Sequence, residues 1–305
     1  MKLVSIVTVN FNQPVVTEQL LKSLIEINTY EAIEIVVVDN GSSENPVGSW
    51  SLLFPTVQFV RSEVNLGFAA GNNLGIEYTN GDYIFLINND TEVTATLISQ
   101  LVQSMDANPG IGIISPKIHY YDHPLTLQYA GYSNMNYYLA RNHCIGQFDL
   151  DDGQFDALSG VTGYAHGAAM MIRREVIASA GLMAENYFLY YEELDWCEQI
   201  KRAGYEVHTN LEALIYHKES VSVGKRSALK EYFMTRNRIL FIRKNASAFQ
   251  FFCFCCYFSV AVIPRNLTLY LKNKEFSFIP VFFSAIGWHF RNQVGSENLG
   301  YPVKR

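Results

Sequence analysis

The chain has 305 residues, 49% of them hydrophobic and 17% charged, with a formal net charge of −6 at pH 7. That length and apolar content support one large domain or two smaller ones and exclude general disorder. The acidic balance excludes a nucleic-acid binder of the basic-surface kind, and five cysteines, an odd number, do not suggest a disulfide framework.

Residues 3–9 form a buried strand by composition, and Pro14 then opens a helical pattern with Leu20, Leu21, Leu24 and Ile25 on one face. Lys2 precedes the apolar run, but Asn10 and Asn12 interrupt it too early for a secretory signal, so this part of the chain is expected in the cytoplasm. The turn Asn10-Phe11-Asn12-Gln13-Pro14 has no glycine, which removes the dinucleotide fingerprint, and no P-loop occurs. Residues 33–38 and 57–60 read as further strands, and residues 66–78 as a helix despite Gly71 and Gly75. Tyr83–Ile87 is a fully buried strand. Strands alternating with helices imply a parallel, doubly wound sheet.

Polar groups gather where these strands end. The second stops at Asp39-Asn40-Gly41-Ser42-Ser43; Asp39 can accept a hydrogen bond from the ring N–H of uracil or thymine, or the segment is simply a turn. The segment from Asn65 to Asn73 sets amides and glycines around a helix start, where backbone can approach a ligand closely. The fourth strand stops at Asn88-Asn89-Asp90. Ligands bind beyond the carboxyl ends of strands in open α/β sheets, and a carboxylate there can hold a divalent cation. The alternative is a cap for a helix over residues 94–105.

Further on, the loop from Asp149 to Gly153 looks like a calcium loop, but Gly160 stands where the closing glutamate belongs, so a solvated loop is expected. The tyrosines at 120, 121, 129, 132, 137 and 138 form either an acceptor platform or core, and core is expected. Gly167 and its small neighbours, on a strand ending at Arg173, leave room beside the sheet or allow close packing. Glu192, Glu193 and Asp195 crowd the start of a helix that runs to Ala203 and stops at Gly204. Acidic residues suit a helix N-terminus; one of them can also serve as general base. Residues 213–217 form a strand ending in His217, which is either structural or a ligand. Lys218, Lys225 and Arg226 follow and can close over an anion.

Residues 229–244 are helical in pattern, with Arg236, Arg238, Arg243 and Lys244 as basic positions. Residues 246–263 carry no charge, slightly short of the ~20 a spanning helix needs, and residues 276–290 are shorter and broken. Embedded or interfacial helices are expected, their basic flanks facing anionic lipid, with a buried helical hairpin as the alternative. Cys253 and Cys256 lie in this uncharged run and read as apolar filler.

The segments Ser5 to Asn12, Val37 to Ser43, Asn65 to Asn73 and Leu86 to Thr91 occur in this order. Together they resemble the nucleotide-sugar half of inverting family 2 glycosyltransferases, and the Asn-Leu-Gly-Phe-Ala stretch resembles the bacterial rhamnosyltransferase-like branch. The resemblance covers roughly residues 3–245 and implies a GT-A type, Rossmann-like, mostly parallel sheet flanked by helices. It implies a catalytic domain over residues 1–228 and a helical, membrane-associating C-terminal region over 229–305. Nucleotide-sugar contacts then fall to Val9, Asn10, Asn12, Asp39, Asn40, Asn65, Gly67, Asn72, Asn88, Asn89 and Asp90. Asp90 takes the metal-binding place of a DxD-type motif for Mg²⁺ or Mn²⁺, with Asn88 in place of its first acid; His217 matches a residue that touches metal or diphosphate. Glu193 matches the base, with Asp195 in reserve. The implied reaction moves a sugar, L-rhamnose in that branch, from a dTDP- or UDP-sugar to a glycan or polyprenyl-linked acceptor at the cytoplasmic face of the plasma membrane, peripherally or partly embedded. A non-catalytic membrane scaffold that binds nucleotide sugar or glycan is the alternative. A nucleotidyltransferase ranks below both, since no glycine- and arginine-rich loop follows the first strand.

Overall fold

Four apolar strands open the chain: β1 (Val4–Asn10), β2 (Ile33–Asn40), β3 (Gln58–Ser62) and β4 (Tyr83–Ile87). They lie parallel in the order β3-β2-β1-β4, joined by α1 (Pro14–Glu26), α2 (Val47–Leu53) and α3 (Gly67–Glu77). In the computed structural model, residues 1–218 and 227–303 are described; Lys225 and Arg226 lie outside them. Pro14 starts α1 where its missing N–H costs nothing. Gly67 has φ +85°, and a Cβ there would lie 2.4 Å from the carbonyl oxygen of Phe188, so only glycine fits at the head of α3.

The second half departs from the parallel pattern. Its elements are β5 (Thr91–Val93), α4 (Leu97–Ala107), β6 (Ile111–Tyr120), β7 (His123–Tyr129), β8 (Gly160–Val161), β9 (Ala169–Arg173), α5 (Arg174–Ala180), α6 (Glu192–Arg202) and β10 (Glu206–His217). The sheet continues β4-β9-β6-β10-β5. β9 runs antiparallel to both β4 and β6, because the long excursion after β6 returns the chain from the opposite end. The helix expected from residue 94 starts at Leu97, since residues 91–93 pair with β10 instead.

The loop at 149–153 is not merely solvated. Asp151 accepts from Lys117 Nζ at 2.8 Å and lies 2.8 Å from His119 Nε2, and Lys117 also reaches Asp156 at 2.6 Å. Composition suggested a wet loop, but β6 presents a buried lysine that needs carboxylates. Despite its own burial, the lysine and histidine hold the Asp151 carboxyl below the usual range.

Four helices complete the chain: α7 (Ala228–Asn245), α8 (Ala248–Tyr257), α9 (Ile263–Lys272) and α10 (Phe278–Arg291). A π-helical turn, Phe258–Val262, joins α8 to α9 into one helix, Ala248–Lys272. Its 25 residues, with a mean hydropathy of 1.5 over an 18-residue stretch, make it long and apolar enough to cross a membrane by length and composition. The sequence pattern stopped at Ile263 because Pro264 and Arg265 follow. The π turn absorbs the proline, whose lost backbone bond would otherwise break the helix.

Both faces of the sheet are covered. Leu20, Leu24, Leu97 and Leu101 pack on one face; Trp196, Leu240, Phe241, Phe254 and Phe282 share a core with Val7 and Ile84 on the other. Arg236 does not face lipid as its basic character suggested. It is fully buried, bonds the carbonyl of Asn186, and lies 4.5 Å over the Trp288 ring. Lys244 stays exposed but is paired with the buried Asp195.

Candidate active site

The ends of β1, β2 and β3 meet at one corner. Register sets Asn10 level with Asp39, and Asp39 level with Arg61. Asp39 is fully buried. One carboxylate oxygen accepts from Asn10 Nδ2 at 2.7 Å and from the Ser42 hydroxyl, and the other from Arg61 Nη1. Asn10 also accepts from Thr17 Oγ1 at 3.0 Å, and Thr17 in turn accepts from Asn89 Nδ2 at 3.0 Å. Asn12, at φ +56°, accepts from Ser43 and donates its N–H to Ser42 Oγ. Asn40 bonds Leu66 N–H, the Gly67 carbonyl and Asn65, while Asn65 accepts from Gly67 N–H and Asn72 donates to the Phe68 carbonyl. These amides therefore hold the loops in shape. Val9, half-buried, packs under Gly71, where a Cβ would lie 3.1 Å away.

The short antiparallel pair β5/β10 brings Asp90 to His217: Thr91 pairs with His217, and Lys218 N–H donates to the Asp90 carbonyl at 2.8 Å. Asp90 Oδ1 and His217 Nε2 lie 3.1 Å apart. Both atoms are buried, and neither makes a hydrogen bond among the described residues. The other ring nitrogen of His217 lies 2.7 Å from Gln128 Oε1. An amide oxygen only accepts, so Nδ1 carries a proton, and in the neutral ring Nε2 presents a lone pair toward Asp90. A lone pair aimed at a carboxylate oxygen is unfavourable unless a cation or proton lies between. The pair thus has the donor set and tautomer for a divalent metal, with Gln128 as its outer partner. No group of three His, Cys, Asp or Glu among the described residues is arranged to hold a metal, so the protein would supply these two ligands.

Glu193 approaches the same place from α6. A Cβ on Gly167 would lie 3.6 Å from Glu193 Cγ, so the glutamate lies over that glycine. His166, next in the chain, faces His217 at 6.3 Å between ring centroids and stacks on Tyr132. Asn88 N–H donates to the Ala168 carbonyl, tying the end of β4 to the same turn. A chain of contacts therefore runs from Asp90 through His217, His166 and Gly167 to Glu193.

The electrostatics set the acids apart. Burial raises the Glu193 carboxyl; burial and the neighbouring Glu193 charge push Glu192 well above the usual range. Burial lowers His166 to about 3, so it is neutral. Asp195, by contrast, is spent. It is fully buried and accepts from Gln199 at 2.7 Å and Asn245 at 2.9 Å, besides pairing with Lys244.

The segment before α6 is held in an uncommon shape. Tyr190 and Tyr191 have φ of +71° and +74°, in the left-handed region that bulky residues rarely enter. Asn237 of α7 secures them by donating to the carbonyls of Tyr187, Leu189 and Tyr190 at 2.7–2.9 Å. Sequence reasoning missed Arg61, Gln128, His166 and Asn237. Only Arg61 left a trace, a charge ending an apolar strand.

Residues 5–180 match the model of the family described as Glycosyl transferase family 2. The chain belongs to that family. This family 2 chain is 28% identical over 213 residues to the low-salt glycan biosynthesis hexosyltransferase Agl10 of Haloferax volcanii, covering 68% of this chain and 66% of that one. It is 25% identical to the dTDP-rhamnosyl transferase RfbF of Shigella flexneri, over 74% of this chain and 75% of that one. It is 20% identical to an N-acetylglucosaminyl-diphospho-decaprenol L-rhamnosyltransferase of Mycobacterium tuberculosis, over 70% and 75%. It spans only 28% of an uncharacterized Sinorhizobium fredii protein with which it shares 25% identity over 82% of its own length. Among solved structures, the mannosyltransferase PcManGT of Pyrobaculum calidifontis, in complex with GDP-Man and Mn²⁺, superposes with a TM-score of 0.59 at 13% identity, over 95% of this chain and 87% of that one. The family 2 chain therefore has the GT-A fold expected of it.

Proposed function

We propose that this family 2 chain is an inverting hexosyltransferase that moves L-rhamnose from dTDP-rhamnose to a lipid-linked glycan at the cytoplasmic face of a membrane. Residues 1–228 would carry the chemistry and residues 229–305 the membrane contact. The observation that carries the reading is the convergence of Glu193 on Asp90 and His217, whose facing atoms make no hydrogen bond among the described residues. The rhamnosyl and lipid-diphosphate names of the Shigella and Mycobacterium relatives support the donor and acceptor.

A Mg²⁺ or Mn²⁺ ion on Asp90 and His217 would act as a Lewis acid toward the departing nucleoside diphosphate. The imidazole ligand favours Mn²⁺. The remaining work falls to side chains. Asp39, beneath Arg61, forms the base subsite, and Arg61 must swing aside for a pyrimidine N–H to reach the carboxylate. Asn10, Asn12, Asn40, Asn65, Gly67, Asn72, Asn88 and Asn89 keep the surrounding loops in register. Glu193 takes the proton from the acceptor hydroxyl as that oxygen bonds to the anomeric carbon. The bond from that carbon to the diphosphate breaks on the opposite face, so one displacement inverts the configuration. Asp195 is set aside as base because its carboxylate already serves Lys244, Asn245 and Gln199.

A panel of nucleotide sugars, measured by thermal shift with and without Mn²⁺ and then by product formation, tests the reading. The dTDP-rhamnose arm should raise Tm only with metal, since a ligand that favours the folded form stabilises it, and should yield product with a lipid-linked acceptor. Binding without turnover against every acceptor would point to the scaffold alternative, and no nucleotide-sugar shift would sink both.

Replacing Gln128 with Leu removes the acceptor that fixes the His217 tautomer. Mn²⁺ affinity should fall about 10–100-fold, read by Mn²⁺ EPR titration on metal-free protein. An unchanged affinity would show that His217 is not a ligand.

A further inference from the structure

A cavity of about 500 Å³ lies between the catalytic segment and the long apolar helix, lined by Arg141, Asn142, Tyr191, Arg238, Phe258 and Arg265 among others. Three arginines line it against one acid, Glu231, which already accepts from Tyr270 and from Thr235 at 3.4 Å. None of the three arginines forms an ion pair among the described residues. Arg238 donates one bond to the Leu139 carbonyl at 2.6 Å, yet its Nε is buried and unsatisfied, as is Asn142 Nδ2. Buried donors without partners are costly, and guanidinium forks match phosphate oxygens.

The setting identifies what kind of anion fits. Residues 248–264 are uncharged, and Arg265 is the first charge on this helix; an ionisable residue on such a helix usually marks a functional site. Phe258 and Val262, the ends of the π turn, line the same cavity, and such turns often mark ligand sites. On another face of the same helix, Phe249, Phe252 and Val260 are 64–79% exposed, an apolar surface for a hydrocarbon chain. Tyr191, on the cavity wall, stands two residues before Glu193.

We propose that this cavity binds the diphosphate of a lipid-linked acceptor, with Arg141, Arg238 and Arg265 on its oxygens, the hydrocarbon tail along the exposed face of the long helix, and the acceptor sugar directed past Tyr191 to Glu193. This rests on the glycosyl-transfer reading and assigns the acceptor headgroup a place in it.

The test uses the full chain in detergent with EDTA, so that no divalent ion bridges a probe to Asp90. Farnesyl diphosphate, inorganic pyrophosphate and farnesol are titrated against the wild type and the double variant Arg141→Gln/Arg265→Gln, which spares the Arg238 bond to Leu139. Farnesyl diphosphate should bind the wild type, and the double variant about 10-fold or more weaker; farnesol should bind neither differently. Equal binding of farnesyl diphosphate to both proteins overturns the proposal, as does farnesol binding as tightly as the diphosphate. Pyrophosphate binding as tightly as farnesyl diphosphate assigns the cavity to a soluble phosphate and overturns the lipid assignment. The dTDP-sugar thermal shift with Mn²⁺ checks that the variant is folded and reads donor binding separately. Loss of that shift in the wild type, with lipid diphosphate still bound, would fail the transfer reading and not the cavity.

Discussion

Replacing Glu193 with Gln is expected to cut kcat for glycosyl transfer by about 10³-fold while leaving donor affinity within a small factor. The amide keeps the shape of the side chain over Gly167 and removes only its ability to take a proton. A second readout separates this from a folding defect. Burial raises the Glu193 carboxyl, so ionising it costs folded-state stability. That cost is absent below the ordinary glutamate range, grows between that range and the raised value, and is constant above it. The Gln variant should therefore melt higher than wild type at pH 7.5, and the gap should close toward pH 4. Turnover in the wild type should fall as pH drops through the same raised value, because the protonated acid accepts nothing. Turnover by the Gln variant comparable to wild type would remove Glu193 from the mechanism.

Asp90 gives the second large effect. Asp90→Asn should lower transfer by about 10²–10³-fold and abolish Mn²⁺ binding measured by EPR, because a neutral amide oxygen is a weak ligand for a hard cation. Metal-free stability should not fall: the new Nδ2–H can donate to His217 Nε2, giving both orphaned atoms a partner. Asp195→Asn should behave oppositely. It puts an amide where a buried carboxylate accepts from Gln199, Asn245 and the exposed Lys244, and should destabilise the protein by about 1–3 kcal/mol through the unsatisfied donors. A normal Tm with lost metal binding in the first variant, against a low Tm in the second, would separate metal ligand from structural anchor. Mn²⁺ affinity unchanged by Asp90→Asn would defeat the metal assignment.

Much of the first half of the fold is legible in the sequence because parallel strands buried on both faces are continuous apolar runs. Val4–Asn10, Ile33–Asn40 and Tyr83–Ile87 announce themselves that way. The polar ends of those strands are legible for the same reason, since Asp39 and Asp90 break apolar runs. The second half is not, because its antiparallel strands depend on partners far away in the chain. β5 has three residues and exists only by pairing with β10, and that pairing is what unites Asp90 with His217. Gln128 lies on a hairpin without periodic pattern. Arg236 and Lys244 read as membrane-facing from their charge, yet one is buried by Trp288 and the other consumed by Asp195. A basic residue on a helix does not reveal which way it points until the neighbouring helices are placed.

The three bonds from Asn237 to the backbone ahead of α6 have a bearing on how the protein can be handled. The conformation that aims Glu193 is borrowed from α7, and α7 is packed in turn against the helix bearing Trp288. Separating the two regions at residue 228 would therefore yield a sheet with a slack catalytic arm, so purification strategies that discard the greasy tail should sacrifice turnover before they sacrifice nucleotide affinity.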